Sequence, residues 1–396
     1  MRHNLPRVLT LLTALVLTLS ACGSGASGGG GSADTIKIGA WMPLTGPVAA
    51  SGEPEKVGGD VYFKMLNDRG GINGHKVEWI TRDNAYDTQQ TVQAARELIG
   101  QEKVVAIVGA NGTAATEATF PFVLEQSKVP IVNTYGGAEN WYTPPRAGLY
   151  GVQTLYEDQA SALAKWAVDD GAKKILVIHS DPAAFVNVAK QVEPVAKSAA
   201  SGVSVDLLSV KFQTTDYAPI VSQVKAKQPD AVITILTAPE AAAYLKEASL
   251  QGFSAPAYGY APDAATATLT LAGKAAEGFH AVSWFKLPTD DSPEMKEYRD
   301  AMKKYAPDAP VDFSTLIGFA YAKAFAEIAK TIEGDITSES IANAYKNAKN
   351  IDTGIMPPLT FSDKQHLGAT EVQRVTVKDG KWTSVGDFFT PPPRGD

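Results

Sequence analysis

Five histidines stand at positions 3, 75, 179, 280 and 366, and no two have the spacing of an H-E-x-x-H metal helix. No G-x-x-x-x-G-K-[ST] phosphate loop is present. Cys22 is the only cysteine, which excludes an intramolecular disulfide and any multi-cysteine zinc site. G-x-G-x-x-G at 23–28 and G-x-S-x-G at 25–29 both fall inside a Gly/Ser run. Neither follows a strand or opens a helix, so both are products of composition. His179 closes a predicted strand with no visible nucleophile, and reads as a structural or rim residue. Asp169-Asp170 and Asp290-Asp291 fall in predicted loops or helix ends and read as solvated pairs. No catalytic set emerges and no metal or organic cofactor is implied, so the chemistry to look for is non-covalent.

Loops that leave the carboxyl ends of parallel strands are where α/β sheets hold ligands. The most informative is Val108-Gly109-Ala110-Asn111-Gly112-Thr113-Ala114-Ala115-Thr116. Gly112 lets a ligand approach the backbone, and Thr113 opens the next helix. Unpaired N–H groups there suit an anionic group, with the hydroxyls of Thr113 and Thr116 nearby. Thr113 as a plain helix cap is the other reading. Tyr135-Gly136-Gly137 follows the next strand, either as uncovered backbone donors beside an aromatic wall or as a simple turn. In the second half, Asp181-Pro182-Ala183-Ala184-Phe185 and Tyr260-Ala261-Pro262-Asp263 follow strands in the same way. Asp263 either pairs with a ligand amine or caps a helix at 264–272.

The elements that must position these loops alternate along the chain. Predicted strands lie at 35–42, 75–83, 104–110, 130–135, 174–181, 203–212, 230–237 and 255–260. Predicted helices lie at 54–68, 87–101, 113–126, 157–170, 183–200, 216–228 and 239–251. Strands alternating with helices of this length mean βαβ units and parallel sheets. Both halves show the rhythm, which predicts two similar α/β lobes. Helices at 293–305, 313–332 and 338–349 follow, then two strands within 371–382 around the Asp379-Gly380 turn signal. The terminal PPPRGD reads as a frayed end rather than an adhesion motif.

The N-terminus carries an address. Arg2 and Arg7 precede a charge-free apolar run at 8–19, shorter than the roughly 20 residues of a spanning helix. Leu19-Ser20-Ala21-Cys22 resembles the bacterial lipobox, in which the cysteine is lipidated and the peptide is cut just before it. Residues 1–21 then read as a lipoprotein signal, and 22–33 as the lipidated Cys22 with a flexible tether. Removal of 1–21 takes two of the 36 basic residues and none of the 43 acidic ones, leaving a net charge of −9. That excess argues against nucleic acid or anionic lipid as main partner.

Several ordered motifs carry a family resemblance: P-L-T-G-P-V-A-A-S-G (43–52), N-D-R-G-G-I-N-G-H-K-V (67–77), G-A-N-G-T (109–113) and T-D-Y-A-P-I-V (215–221) leading to Q-P-D-A-V (228–232). A-E-G-F (276–279) and V-K-D-G-K-W (377–382) complete the set. From about residue 34 to 390 the chain resembles the extracytoplasmic solute-binding proteins of ATP-driven (ABC) importers, of the branched-chain amino acid type. The resemblance implies the type I periplasmic binding fold, with lobes 34–154 plus 283–357 and 155–282 plus 358–390, three crossovers, and a tail at 391–396. It implies a ligand hydroxyl at Thr113, backbone help near Gly136 and Gly137, an acid for the ligand amine at Asp263, and an aromatic contact at Phe185. It also puts Ser51 where relatives carry a tyrosine, Ala138 where leucine binders carry a hydroxyl, and Phe185 where a tyrosine is usual. Trp41, Tyr135 and Trp141 add aromatic surface, as ligand contacts suited to an aromatic or less polar acid or as packing. The implied partners are a small amino-acid-like, amide or carboxylate ligand and a separate permease and ATPase, with the membrane reached only through the lipid anchor. The protein is expected to be monomeric. A sensory module presenting ligand to a signalling receptor is the alternative reading; an enzyme is a third, unsupported by any catalytic set.

Overall fold

A computed structural model describes residues 35–46 and 48–394. The signal segment, Cys22 and the tether lie outside the described residues, as do Pro47 and the last two positions.

Among the described residues, twelve strands form two sheets. The first contains β1 (Ile36–Met42), β2 (Val77–Asp83), β3 (Ile107–Val108), β4 (Ile131–Val132) and β5 (Leu149–Tyr150) in the order β2-β1-β3-β4-β5, every pair parallel. The second contains β6 (Lys174–Ser180), β7 (Ser204–Val210), β8 (Ala231–Ile235), β9 (Ala257–Gly259), β10 (His280–Ser283), β11 (Val372–Lys378) and β12 (Lys381–Phe389). Its order is β12-β11-β10-β9-β8-β6-β7. Strands β6 to β10 run parallel in the same pattern as β1 to β5, and β11 and β12 close the edge antiparallel. The fold is therefore the expected α/β class, with one parallel motif used twice.

Burial on both faces explains why the strands read as continuous apolar runs. In the first sheet Val108 and Val132 enter one core with Ile38, Phe319 and Phe325, while Ile107 and Ile131 enter the opposite core with Trp41 and Leu98. The second sheet repeats this: Leu176 and Ile178 pack to one side, Ile175 and Val177 to the other. A period of two inside an all-apolar run is what two covered faces require.

Two predicted helices are broken, for one physical reason. The helix expected at 113–126 ends at Glu117 (Thr113–Glu117) and resumes as a wider turn at Pro121–Gln126. The helix expected at 183–200 divides into Ala183–Lys190 and Val192–Ala199. Pro121 and Pro194 each lack an N–H, and each ring clashes with the carbonyl four residues back, on Glu117 and Lys190. The strands expected at 104–110 and 130–135 pair over two residues each, and β5 and β10 were not anticipated. The hairpin is as expected at Asp379 (φ 53°) and Gly380 (φ 71°), but β12 runs on to Phe389.

Helices Ala49–Asp68 and Phe313–Ala329 cross at glycines behind the first sheet. A Cβ on Gly58 would lie 1.8 Å from the Thr315 carbonyl oxygen, and one on Gly318 would lie 1.8 Å from that of Glu55. The tail is not frayed through residue 394: Arg394 Nη1 meets Glu139 Oε1 at 2.6 Å and its Nε meets Asp158 Oδ1 at 3.1 Å. Among the described residues no helix is long and apolar enough to cross a membrane.

The chain passes between the sheets three times: after β5, after β10 and before β11. Two of these passages run side by side. Gly151 donates to the His366 carbonyl at 2.9 Å and accepts from Gly368 N at 2.8 Å, and Thr154 Oγ1 donates to the Glu371 carbonyl at 2.7 Å.

Candidate functional site

The order 2-1-3-4-5 has a switch point between its first and third strands, where adjacent loops diverge and leave a crevice. Both sheets aim their switch points at one cavity of about 190 Å³. Each of the nine strands β1 to β9 contributes the segment that follows its carboxyl end. From the first sheet come Ser51, Tyr86, Asn111 to Ala114, Tyr135 and Tyr156; from the second come Phe185, Phe212, Thr237 and Tyr260.

Three acids hold these loops in place, Glu240 and Glu55 buried and Asp83 exposed. Glu240 accepts from Ser180 Oγ (3.0 Å), Gln213 N (2.8 Å), Thr237 N (2.9 Å) and Thr237 Oγ1 (2.7 Å), tying together the loops after β6, β7 and β8. Asp83 joins the loops after β1 and β2. It accepts from Leu44 N (2.9 Å), Ala85 N (2.9 Å) and Thr45 Oγ1 (2.6 Å). Burial opposes its charge, but the bonds from Thr45, Ala85 and Leu44 outweigh burial and lower its pKa. Glu55 receives Asn111 Nδ2 at 2.7 Å, and Asn84 Nδ2 donates to the Asn111 carbonyl at 3.2 Å. Glu55 is fully buried, and that burial pushes its carboxyl up to about 8, with the Asn111 bond opposing.

The predicted residues divide. Thr113 lines the cavity as the first residue of its short helix; Gly112, with φ 115°, occupies the cap position, so Thr113 is not the cap. The Tyr156 phenol lies beside Thr113 and Gln153. Ser51, Gly112, Tyr135 and Phe185 also line the cavity. Ser51 sits in the first turn of a helix that starts at Ala49, five residues before the expected Pro54; its Oγ donates to the Val48 carbonyl at 3.0 Å.

Trp41 and Thr116 do not line it. Both are fully buried, and Trp41 Nε1 donates to Thr116 Oγ1 at 3.0 Å, which makes them a packing pair. Trp141 is buried edge-on against Phe120. Gly136 and Gly137 are buried behind the wall, where a Cβ would press on Trp141 (2.8 Å) and on Gln153 (2.9 Å) respectively; their smallness admits those side chains. Asp263 is buried next to the lining residue Pro262 but does not itself line the cavity. Its Oδ2 accepts from Thr234 Oγ1 at 2.6 Å, and Ala265, not Asp263, caps the helix Thr266–Ala272. Burial holds the Asp263 carboxyl well above its ordinary range; the Thr234 bond opposes this and the Glu240 charge adds to it.

Sequence reasoning missed Tyr86, Tyr156 and Phe212. Phe212 lies between Phe185 (5.8 Å) and Tyr86 (6.4 Å) with its ring tilted to both, and Tyr156 lies 5.4 Å from the Tyr260 ring. Each follows a strand, so the rule that found Thr113 would have found them. Among the described residues no group of three His, Cys, Asp or Glu side chains is placed to hold a metal.

A sequence profile described as periplasmic binding protein matches residues 35–381. The chain belongs to that family. Its members are extracytoplasmic solute-binding proteins rather than enzymes. This family member is 26% identical over 340 residues to the Leu/Ile/Val-binding protein homolog 7 of Brucella abortus (strain 2308), covering 81% of this chain and 82% of that one. Its fold is similar to that of a possible leucine/isoleucine/valine-binding protein from Rhodopirellula baltica SH 1, with TM-score 0.82, 22% identity and coverage of 90% and 97%. It is also similar to a fatty acid ABC transporter substrate-binding protein from Thermomonospora curvata, with TM-score 0.82, 22% identity and coverage of 90% and 92%. These likenesses assign the type I periplasmic binding fold, and the family assigns a ligand-binding role.

Proposed function

We propose that this protein captures a small organic solute in the cavity between its two sheets and delivers it to a separate ATP-driven permease. The supporting observation is the convergence of the segments after nine parallel strands, from both sheets, on that one cavity. A solute there touches both halves at once and favours whichever arrangement brings them together. The paired passages at 151–154 and 366–371 suit a hinge, because a few backbone bonds join the halves there. Thr113, Ser51 and Phe185 are the proposed contacts. Cys22 is the proposed site of a lipid anchor that keeps the binding body at the outer face of the cell membrane, and the working unit is a monomer.

The test is capture. Purified protein is dialysed against a pool of cellular metabolites, and whatever it retains is released and identified by mass spectrometry. One small solute retained unchanged, in about equimolar amount, is the expected result. A second sample carries Phe185→Ala with Thr113→Ala and should retain much less. No retained solute, or equal retention by the double variant, refutes capture in this cavity.

A further inference from the structure

We propose that Tyr86 and Phe212 form a clasp: one ring from each half meets the other beside the cavity, and the two must part before a captured solute leaves. This rests on the capture reading and adds two working residues to the same site.

The rings come from equivalent places. Strands β2 and β7 are the edge strands beside β1 and β6, and the turn after each carries one ring. After β2, Asp87 N donates to the Asn84 carbonyl at 2.7 Å, around Ala85 (φ 45°) and Tyr86 (φ 59°). Among the described residues no other two adjacent non-glycine residues both have positive φ. After β7, Thr214 N donates to the Lys211 carbonyl at 3.1 Å, around Phe212 and Gln213 (φ 64°). Turns of this kind favour glycine, asparagine or aspartate at positive φ, and other side chains there are strained unless their surroundings hold them. Here they are held. Ala85 N donates to Asp83 Oδ1 at 2.9 Å and Tyr86 N to Asn84 Oδ1 at 3.0 Å. Phe212 N donates to Asp181 Oδ1 at 3.0 Å and Gln213 N to Glu240 Oε1 at 2.8 Å. Asn84 is fully buried, and its Nδ2 also ties this turn to the Asn111 carbonyl. Two strained turns, each fixed by its own side-chain acceptors, therefore set one ring apiece.

Each ring is backed by its own half. A Cβ on Gly112 would lie 3.3 Å from Tyr86 Cε2, so the Tyr86 ring rests on bare backbone of the loop after β3. Phe212 leans on Phe185, with centroids 5.8 Å apart. Supported in this way, the Tyr86 and Phe212 rings meet at 6.4 Å with their planes inclined at 32°. Both line the cavity and both are half-buried. A contact that exists only while the halves are together does nothing for entry and must break for release, so its loss appears in the release rate.

The probe is the compound that the wild-type protein retains from the metabolite pool, added back in isotope-labelled form and chased with an excess of the unlabelled compound. Tyr86→Ala and Phe212→Ala are each expected to release it about tenfold faster, the size of effect a ring pair carries, with the association rate constant changed by less than about threefold. Because the clasp needs both rings, the double variant should release it within about threefold of the faster single variant. If an alanine variant fails to fold, leucine at the same position fills the space without a ring face and carries the same expectation. A double variant faster than that limit makes the rings two independent wall contacts and overturns the clasp. So does a single variant whose release stays within about threefold of wild type, or one that loses association instead. In those cases capture stands. If the wild-type protein retains nothing from the pool, capture fails and the clasp falls with it.

Discussion

Glu55 should make stability fall with rising pH, and a single substitution should remove that fall. The side chain is fully buried on the helix Ala49–Asp68; Oε2 accepts from Asn111 and Oε1 has no partner. Burial raises its pKa from 4.5 to about 8. The folded protein therefore binds this proton more tightly than the unfolded chain does. Its stabilising contribution is whole below the unfolded value and is lost as pH rises through the folded one. The protonation balance gives a loss of about 1 kcal/mol by pH 5, about 3 kcal/mol by pH 7 and about 5 kcal/mol by pH 9. Glu55→Gln keeps the shape and the oxygen that Asn111 binds, but cannot ionise. Urea unfolding of both proteins at pH 5, 7 and 9 reads the difference directly, because groups common to both cancel. The variant should gain on the wild type by about 4 kcal/mol between pH 5 and pH 9. A gap that stays constant to within about 1 kcal/mol over that range would show that Glu55 ionises as freely in the fold as in water, and the argument from burial would be wrong.

Phe185→Ala removes a half-buried ring from the cavity wall and should weaken solute binding about tenfold, measured by calorimetry, with the unfolding midpoint nearly unchanged. Gly318→Ala places a methyl 1.8 Å from the Glu55 carbonyl oxygen, so the two helices must separate; a loss of about 3 kcal/mol in urea unfolding is expected, and a loss near zero would mean that the helix pair yields freely. Arg394→Ala breaks the pairs with Glu139 and Asp158, whose side chains are 41% and 21% exposed. Exposed partners and salt screening limit the cost to about 1 kcal/mol, and the difference from wild type should shrink further in high salt.

What was legible in the sequence depended on how far each residue's partners lie along the chain. The alternating strands and helices were readable because two covered faces force apolar runs, as at 104–110. The pairing length was not, since Ile107–Val108 stops where its neighbours do. The breaks at Pro121 and Pro194 were readable from the proline rule and were missed because the apolar pattern continues through both. Thr113, Tyr135 and Phe185 emerged from the rule that ligands sit beyond strand ends. Trp41 did not belong to that set because it lies inside β1, where side chains enter the layers between sheet and helices, and Thr116 turns inward to meet it. The acids that shape the site were not visible at all. Glu55 and Asn111 are 56 positions apart, and Ser180 and Glu240 are 60 apart, so no local pattern marks either pair. Their placement has a physical consequence for binding. Glu55, Asp83 and Glu240 fix the loops from behind with strong hydrogen bonds to carboxyl oxygens, and so the face turned to the solute needs no charged side chain to stay ordered. An ordered wall without charged side chains discriminates among solutes by shape and by whether their polar atoms meet its hydroxyls and amides.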